Sequence, residues 1–130
     1  MSDRRTEVLE IAQRSRAWAE RIGRTCFGMQ LMGMCAIASA HLFRELTAAG
    51  YKARICANDQ HCWVEMPFAL VLDITATQFG KDRVLIAHRS ELDNTAGQWT
   101  ADYSFCTVQD LRAWQIKSGW RSFQIVAPAS

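Results

Sequence analysis

The chain lacks the features that mark membrane, secreted and nucleic-acid-binding proteins. None of its 130 residues belongs to an apolar run that approaches the roughly 18 residues needed to span a membrane. Residues 1–24 are charged and contain no apolar signal-peptide core, so we expect a cytoplasmic protein. Fifteen Lys and Arg against thirteen Asp and Glu give a net charge of +2, too balanced for a nucleic-acid-binding surface. We therefore expect neither a membrane nor a nucleic acid as partner.

Proline and glycine are also scarce. Two Pro and 7 Gly, with no linker-like or repetitive stretch, exclude collagen-like and disordered classes. The hydrophobic fraction of 49% is ordinary for a globular fold, and the length predicts one domain over residues 1–130. Such a domain buries roughly two-thirds of its unfolded surface, so it needs no metal or disulfide to fold. We expect no cofactor.

The cysteines are odd in number and form no CxxC pair. They are Cys26, Cys35, Cys56, Cys62 and Cys106. Without a secretion signal, this pattern favours reduced thiols over a disulfide framework and disfavours zinc ribbons and paired redox cysteines. At least one thiol is therefore available as a nucleophile.

Apolar spacing and turn residues predict an α+β domain. Helices are expected at residues 6–22 (ended by Gly23), 35–49 and 107–117, and strands at 51–57, 61–66, 70–74, 83–87 and 120–126. Residues 24–33 read as irregular and 93–102 as turn-rich. Thr107 and Asp110 resemble a capping box at the start of the third helix, which Gly119 closes. N-terminal helices, with the Cys35 helix among them, should pack on an antiparallel sheet.

Cys35 stands at the predicted start of the second helix. The amide groups of a helix N-terminus and the positive end of the helix dipole favour a thiolate there. The same amides can face an oxyanion that develops when a thiolate attacks a carbonyl. This position makes Cys35 the candidate nucleophile, although a helical Cys among small apolar residues is more often a buried hydrophobe.

His61 and Asp73 are expected to meet across a hairpin. A turn centred on Pro67 places the two residues directly opposite each other, six positions away on either side. Their Cβ atoms would then lie roughly 4.5–5.5 Å apart, and Asp73 would accept the imidazole Nδ1–H of His61. The other ring nitrogen is left to serve the thiol of Cys35.

The same residues resemble a known family. The segments that carry the resemblance are MCAIASAHLFREL (34–46), GYKAR (50–54), HCWVE (61–65), VLDIT (71–75) and QF (78–79). The first two are similar to the cysteine helix and following strand of the transglutaminase-like superfamily, the next two to its H-a-W-v-E and v-D-x-T strands, and the last to a pattern of its small bacterial members. The resemblance implies a papain-like fold, circularly permuted relative to papain, with Cys35, His61 and Asp73 as a catalytic triad. Cys62 departs from the small residue that usually precedes the Trp.

Two further residues are candidates for oxyanion or substrate binding. Gln30 can donate a side-chain N–H to an oxyanion, as a glutamine does in papain-like enzymes, although its spacing from the Cys differs by one residue. Trp63 can contact substrate, but core packing beside the His–Asp pair is the simpler interpretation. A metal site formed by His61, Asp73 and the nearby thiols matches no common zinc spacing, so we predict no metal.

These residues predict a cysteine-dependent hydrolase acting on amide bonds of a protein or peptide, either a peptidase or a glutamine deamidase. The thiolate forms a thioester acyl-enzyme that water then cleaves. One alternative is an acyltransferase or transamidase with the same triad, of the arylamine N-acetyltransferase kind. Another is a non-catalytic binding domain on this fold. The sequence does not fix the oligomeric state.

Overall fold

The computed structural model describes residues 4–26, 34–79, 83–120 and 124–128, with only the backbone for 24–26 and 78–79. Its helices and strands are, in chain order, α1 (Arg4–Cys26), α2 (Cys35–Ala48), β1 (Arg54–Ala57), β2 (Cys62–Met66), β3 (Leu70–Asp73), β4 (Leu85–His88), β5 (Tyr103–Phe105) and α3 (Val108–Ser118). Short 3-10 helices follow β3 at Ala76–Phe79 and β4 at Arg89–Glu91. The described residues form an α+β domain, as the sequence predicts.

The five strands of the described residues form one antiparallel sheet in the order β4-β3-β2-β1-β5. One face packs on the helices through alternating apolar side chains, namely Ile55, Ala57, Cys62, Val64 and Leu72. A smaller cluster forms a second core: Cys56, Trp63, Val71, Ala76 and Trp99. Because side chains alternate along a strand, Cys56, Trp63 and Val71 point to the face away from the helices. The sheet is therefore covered on both sides.

Helix α2 is the central helix. It packs against α1, α3, β1 and β2. Eight of its 14 residues are buried against these neighbouring elements. Ala36, Ala38 and Ala40 are among them, and their small side chains let neighbouring elements approach the helix axis closely. The predicted packing of the Cys35 helix on an antiparallel sheet is confirmed.

Helix α1 is longer than the sequence predicts. Its buried positions recur every three or four residues, from Val8 through Ile11 and Ser15 to Ala19. Gly23 does not end the helix: it is buried inside α1, which continues to Cys26. A helical glycine costs about 1 kcal/mol relative to alanine, and packing along the whole helix can offset that cost. The predicted irregular stretch 24–33 is thus wrong at 24–26, and 27–33 lie outside the described residues.

The β2–β3 hairpin has a different register from the predicted one. Met66 pairs with Leu70, so the connection is centred on Phe68 and not on Pro67. Phe68 and Ala69 have φ values of 67° and 60°, a left-handed conformation that residues other than glycine seldom adopt. This unusual turn contains no glycine, so the sequence does not indicate where its centre lies. Each residue's partner moves by two positions, so every side chain keeps the face expected of it.

The remaining strands differ from prediction mainly at their ends. Strand β1 begins at Arg54 and not at residue 51, because only Arg54–Ala57 pair with β2. Strand β4 covers Leu85–His88 where residues 83–87 were expected. Strand β5 follows the turn-rich segment and was not predicted; with three residues, it is too short to show an alternating pattern.

Helix α3 begins and ends where its local sequence predicts. The Thr107 side chain accepts a hydrogen bond from the backbone N–H of Asp110 at 3.1 Å, an N-cap interaction. Gly119 follows the helix with a φ of 74°, and its N–H donates to the carbonyl of Gln115. Both ends depend on contacts within a few residues, so sequence patterns suffice to place them.

The predicted last strand, residues 120–126, is wrong over its described part. Residues 120 and 124–126 form no strand. The Gln115 side chain donates to the Gln124 carbonyl at 3.2 Å and accepts from the Val126 N–H at 2.9 Å, while Arg112 donates to the Val126 carbonyl. Side chains of α3 thus supply the hydrogen bonds that a neighbouring strand would otherwise provide.

Candidate active site

Cys35 is the first residue of α2. Its predecessor Met34 is the N-cap and provides no side-chain hydrogen bond to the first turn, which also contains no acidic residue. The partial positive charge at the helix N-terminus is therefore not offset by a carboxylate from that turn. The Cys35 side chain is buried, with 1% of the residue exposed. Reaction with any substrate consequently requires that its sulfur become accessible.

His61 immediately precedes β2 and is held through its backbone. The Asn58 Oδ1 accepts hydrogen bonds from the backbone N–H groups of Gln60 and His61, both at 2.8 Å. The backbone N–H of Asn58 in turn donates to the His61 carbonyl at 3.0 Å. These bonds define the turn between β1 and β2, so the imidazole projects from a fixed point of the backbone.

The predicted contact between His61 and Asp73 is present. The imidazole Nε2 and the carboxylate Oδ2 are 2.6 Å apart, and both side chains are buried. The predicted use of Nδ1 is wrong, since it is Nε2 that meets the carboxylate. In the observed register the two residues are diagonal neighbours, not direct partners, so the ring reaches across the hairpin with its outermost nitrogen.

Four donors surround the Asp73 carboxylate. Oδ2 lies 2.6 Å from the His61 ring nitrogen and accepts from the Trp99 indole N–H at 2.8 Å. Oδ1 accepts from the backbone N–H and the hydroxyl of Thr75, at 2.8 and 3.1 Å. Burial raises the pKa of Asp73, but the charge and hydrogen bond of His61, followed by Trp99 and Thr75, outweigh it and lower the pKa below its ordinary value. Asp73 is therefore ionised at neutral pH.

Opposing influences act on His61. Burial is the largest and lowers its pKa, but the charge and hydrogen bond of Asp73, followed by a hydrogen bond and the charge of Cys35, raise the pKa to about 9. The imidazole thus interacts with the carboxylate and with the thiol. The structure brings Cys35, His61 and Asp73 together, and His61 connects the other two.

Trp63 packs beside this group. Its ring lies 5.8 Å from the His61 ring, centroid to centroid, with 20° between the planes. The indole is fully buried and its N–H donates to the Glu65 carboxylate at 3.0 Å. This geometry favours the core-packing interpretation of Trp63 over contact with a substrate. Gln30, the other candidate for substrate or oxyanion binding, lies outside the described residues.

Comparison of the chain with protein-family models, with curated proteins and with solved structures found no match. The site must therefore be interpreted from its own geometry.

Two other thiols lie near the group. The Cys62 thiol is fully buried, and burial followed by the charge of Cys35 raises its pKa well above the ordinary value, although a hydrogen bond from Ser39 lowers it. The Ser39 hydroxyl also donates to the Cys62 carbonyl at 3.2 Å, which ties α2 to β2 one helical turn beyond Cys35. Burial, then Glu65, raises the pKa of Cys56 to about 12. Both thiols stay protonated at neutral pH, unlike an activated nucleophile.

The described part of the chain holds no cluster of three or more His, Cys, Asp or Glu side chains arranged to bind a metal. Cys35, Cys56, Cys62 and Cys106 are free thiols. Within the same ranges, none of the helices combines the length and apolar character that crossing a bilayer requires.

Sequence reasoning missed three residues that hold the group in place: Asn58, Thr75 and Trp99. Thr75 could have been found, because an Asp followed two residues later by Thr is typical of a local turn in which the carboxylate accepts the Thr N–H. Trp99 and Asp73 are 26 residues apart, and a tryptophan in a turn-rich segment does not indicate its partner. Asn58 likewise bonds to carbonyls about 40 residues away, a relation that only the fold creates.

Proposed function

We propose that the chain is a cysteine-dependent hydrolase that acts on amide bonds of a protein or peptide, with the papain-like core of the transglutaminase-like superfamily. The observation that carries the proposal is the His61 imidazole bonded to the buried Asp73 carboxylate and, in addition, interacting with the thiol of Cys35. A nucleophile, a base and a group that orients the base are the three parts of a nucleophilic triad.

Each residue has a role in the proposed reaction. Because its pKa is raised to about 9, His61 holds the proton of the Cys35 thiol at neutral pH, and the sulfur attacks the substrate carbonyl to form a C–S bond. The backbone N–H of Cys35, at the start of α2, stabilises the oxyanion, and Gln30 is the predicted second donor. His61 then protonates the leaving nitrogen as the C–N bond breaks. Asp73 holds the ring and stabilises the imidazolium throughout.

Water completes the reaction by attacking the thioester and releasing the acid. Hydrolysis of a backbone amide is proteolysis, and hydrolysis of a glutamine side chain is deamidation. If an amine replaced water, the same acyl-enzyme would give a transamidase or acyltransferase. Incubation with candidate proteins followed by intact mass spectrometry separates these outcomes, because proteolysis cuts the chain, deamidation leaves it whole, and transfer adds the mass of the acceptor.

The proposal predicts how Cys35 reacts with iodoacetamide. An ordinary thiol is half ionised near pH 8.5, so it alkylates slowly in mildly acidic solution. We expect Cys35 to alkylate readily well below pH 8, and this reactivity to disappear in His61→Ala. Peptide mass spectrometry measures each cysteine separately. The exposed thiol of Cys106 therefore provides an internal reference in the same molecule.

The matched control is His88→Ala, since His88 is exposed and lies on the edge strand β4. This variant should label at Cys35 as the wild type does. If Cys35 remains unlabelled in the native protein, or follows the same pH dependence as Cys106, the nucleophile assignment is wrong and a non-catalytic binding domain becomes the better interpretation.

A further inference from the structure

The side chain of Asn58 joins two parts of the molecule that meet at the His61–Asp73 pair. Asn58 follows β1 and is 7% exposed. Its Oδ1 accepts the backbone N–H of His61, as described above. Its Nδ2 lies 3.1, 3.1 and 3.0 Å from the carbonyl oxygens of Gly97, Gln98 and Thr100, to which it donates. One amide group therefore binds the histidine backbone and the segment 97–100.

That segment carries Trp99, whose indole N–H donates to Oδ2 of Asp73. The indole is fully buried, and the Trp99 backbone N–H donates to the Asn94 side chain at 2.8 Å. The loop that positions the indole belongs to no helix or strand, so it depends on these side-chain hydrogen bonds and on two backbone turn bonds, from Gly97 N–H to the Asn94 carbonyl and from Thr100 N–H to the Gly97 carbonyl. Asn58 supplies three of those bonds.

The carboxylate oxygen that contacts the His61 ring is the same oxygen that accepts from the indole. A carboxylate held on Oδ2 by the indole, and on Oδ1 by Thr75, cannot rotate away from the imidazole without breaking one of these bonds. Hydrogen bonds to the backbone hold His61 in place, and hydrogen bonds to the carboxylate hold Asp73 in place. Asn58 takes part in both, directly for His61 and through Trp99 for Asp73.

We propose that Asn58 and Trp99 are positioning residues that together hold the His61–Asp73 pair in the geometry needed to activate Cys35. The part concerning Cys35 rests on the proposed function. Neither residue touches the reacting atoms: Asn58 acts through the His61 backbone and the loop 97–100, and Trp99 acts through the carboxylate of Asp73.

Two variants test the proposal. Asn58→Asp keeps the Oδ1 acceptor but places a carboxylate oxygen against the three loop carbonyls. Trp99→Phe keeps most of the ring and removes only the N–H donor. Thr107→Ala, which weakens the N-cap of α3 away from the site, controls for loss of stability alone. Asp59→Asn, an exposed change in the same turn as Asn58, controls for local substitution.

The first readout is solvent exchange of the His61 Nε2 proton, followed by NMR. We expect the proton to exchange roughly tenfold faster in each positioning variant, which corresponds to a weakening of the His61–Asp73 interaction by about one pKa unit. Both controls should exchange at the wild-type rate. The double variant should fall short of the product of the single effects, because both act on one hydrogen-bonded group. Equal acceleration in Thr107→Ala at matched stability, or unchanged exchange in Trp99→Phe, overturns the proposal.

The second readout is the pH profile of Cys35 alkylation, which both positioning variants should move toward that of an ordinary thiol. Failure of the proposed function has a different signature from failure of this inference. If wild-type Cys35 is not activated but the His61 proton responds as expected, Asn58 and Trp99 still position the pair and only the assigned chemistry is wrong. If wild-type Cys35 is activated and both variants leave its profile unchanged, the positioning role is refuted while the nucleophile stands.

Discussion

Replacing Asp73 by asparagine removes the negative charge next to His61 while keeping the size of the side chain. The charge and hydrogen bond of Asp73 are the main influences that raise the pKa of His61 against the opposing effect of burial. Without the charge, burial becomes the dominant influence. We therefore expect the pKa of His61 to fall from about 9 to below its ordinary value of 6.5 in Asp73→Asn.

The structure also gives the size of the effect on stability. A rise from 6.5 to about 9 corresponds, at 1.36 kcal/mol per unit, to about 3 kcal/mol of preferential stabilisation of the charged imidazole. Because the pKa is raised on folding, this stabilisation is fully present below pH 6.5 and is lost as the pH rises through about 9. Because the pKa of His61 in Asp73→Asn is expected below 6.5, that variant has no such stabilisation, and the wild type should exceed it in stability by at least about 3 kcal/mol more near pH 6 than near pH 10.

Two measurements check this reasoning. NMR titration of the imidazole signals gives the pKa directly, and the chain has only 3 histidines, so His41→Gln and His88→Gln assign the spectrum. Urea unfolding at the two pH values gives the stability difference. A His61 titration that stays near pH 9 in Asp73→Asn, or a stability difference that does not change with pH, would refute the assignment of Asp73 as the group that charges the ring.

Two further outcomes follow from other parts of the structure. Thr107→Ala should lower the free energy of unfolding by about 1 kcal/mol, because the Asp110 N–H loses its acceptor at the start of α3. Thr107→Ser keeps a hydroxyl acceptor and should retain most of the wild-type stability. Equal urea midpoints for Thr107→Ala and the wild type would contradict the N-cap. Since burial, then Glu65, raises the pKa of Cys56 to about 12, this thiol should alkylate far more slowly than the exposed Cys106 in native protein and as fast as Cys106 in urea. Comparable native rates, measured by peptide mass spectrometry, would show that Cys56 is not buried as described.

The sequence predicts those parts of the fold that depend on nearby residues. Thr107 and Gly119 mark the ends of α3 because helix caps are formed by neighbours in the chain. Gly23 misleads for the opposite reason, since packing along α1 outweighs its local preference. Residues 124–126 mislead because their hydrogen bonds come from side chains of α3, and nothing in their own composition reveals that.

The sequence predicts which face of the sheet the site residues share, but it does not predict which residues pair across the hairpin. His61 and Asp73 share a face in both the predicted and the observed hairpin, since a shift of two positions preserves the face of every residue. The predicted contact between them is therefore present even though the turn is centred one residue away from the predicted position. The roles of Asn58 and Trp99 depend on a loop that folds back over the sheet from a distant part of the chain, and no local pattern encodes that return.

The turn of the β2–β3 hairpin lies a full strand length away from the end of the hairpin that carries His61. His61 stands just before β2, while Phe68, 91% exposed, lies at the tip beyond its other end, so a five-residue strand of roughly 16 Å lies between them. Phe68 also adopts a left-handed backbone conformation that suits glycine better. The tip is consequently a convenient attachment point for a fluorophore or an affinity handle, because a label there lies far from the His61–Asp73 pair at the opposite end.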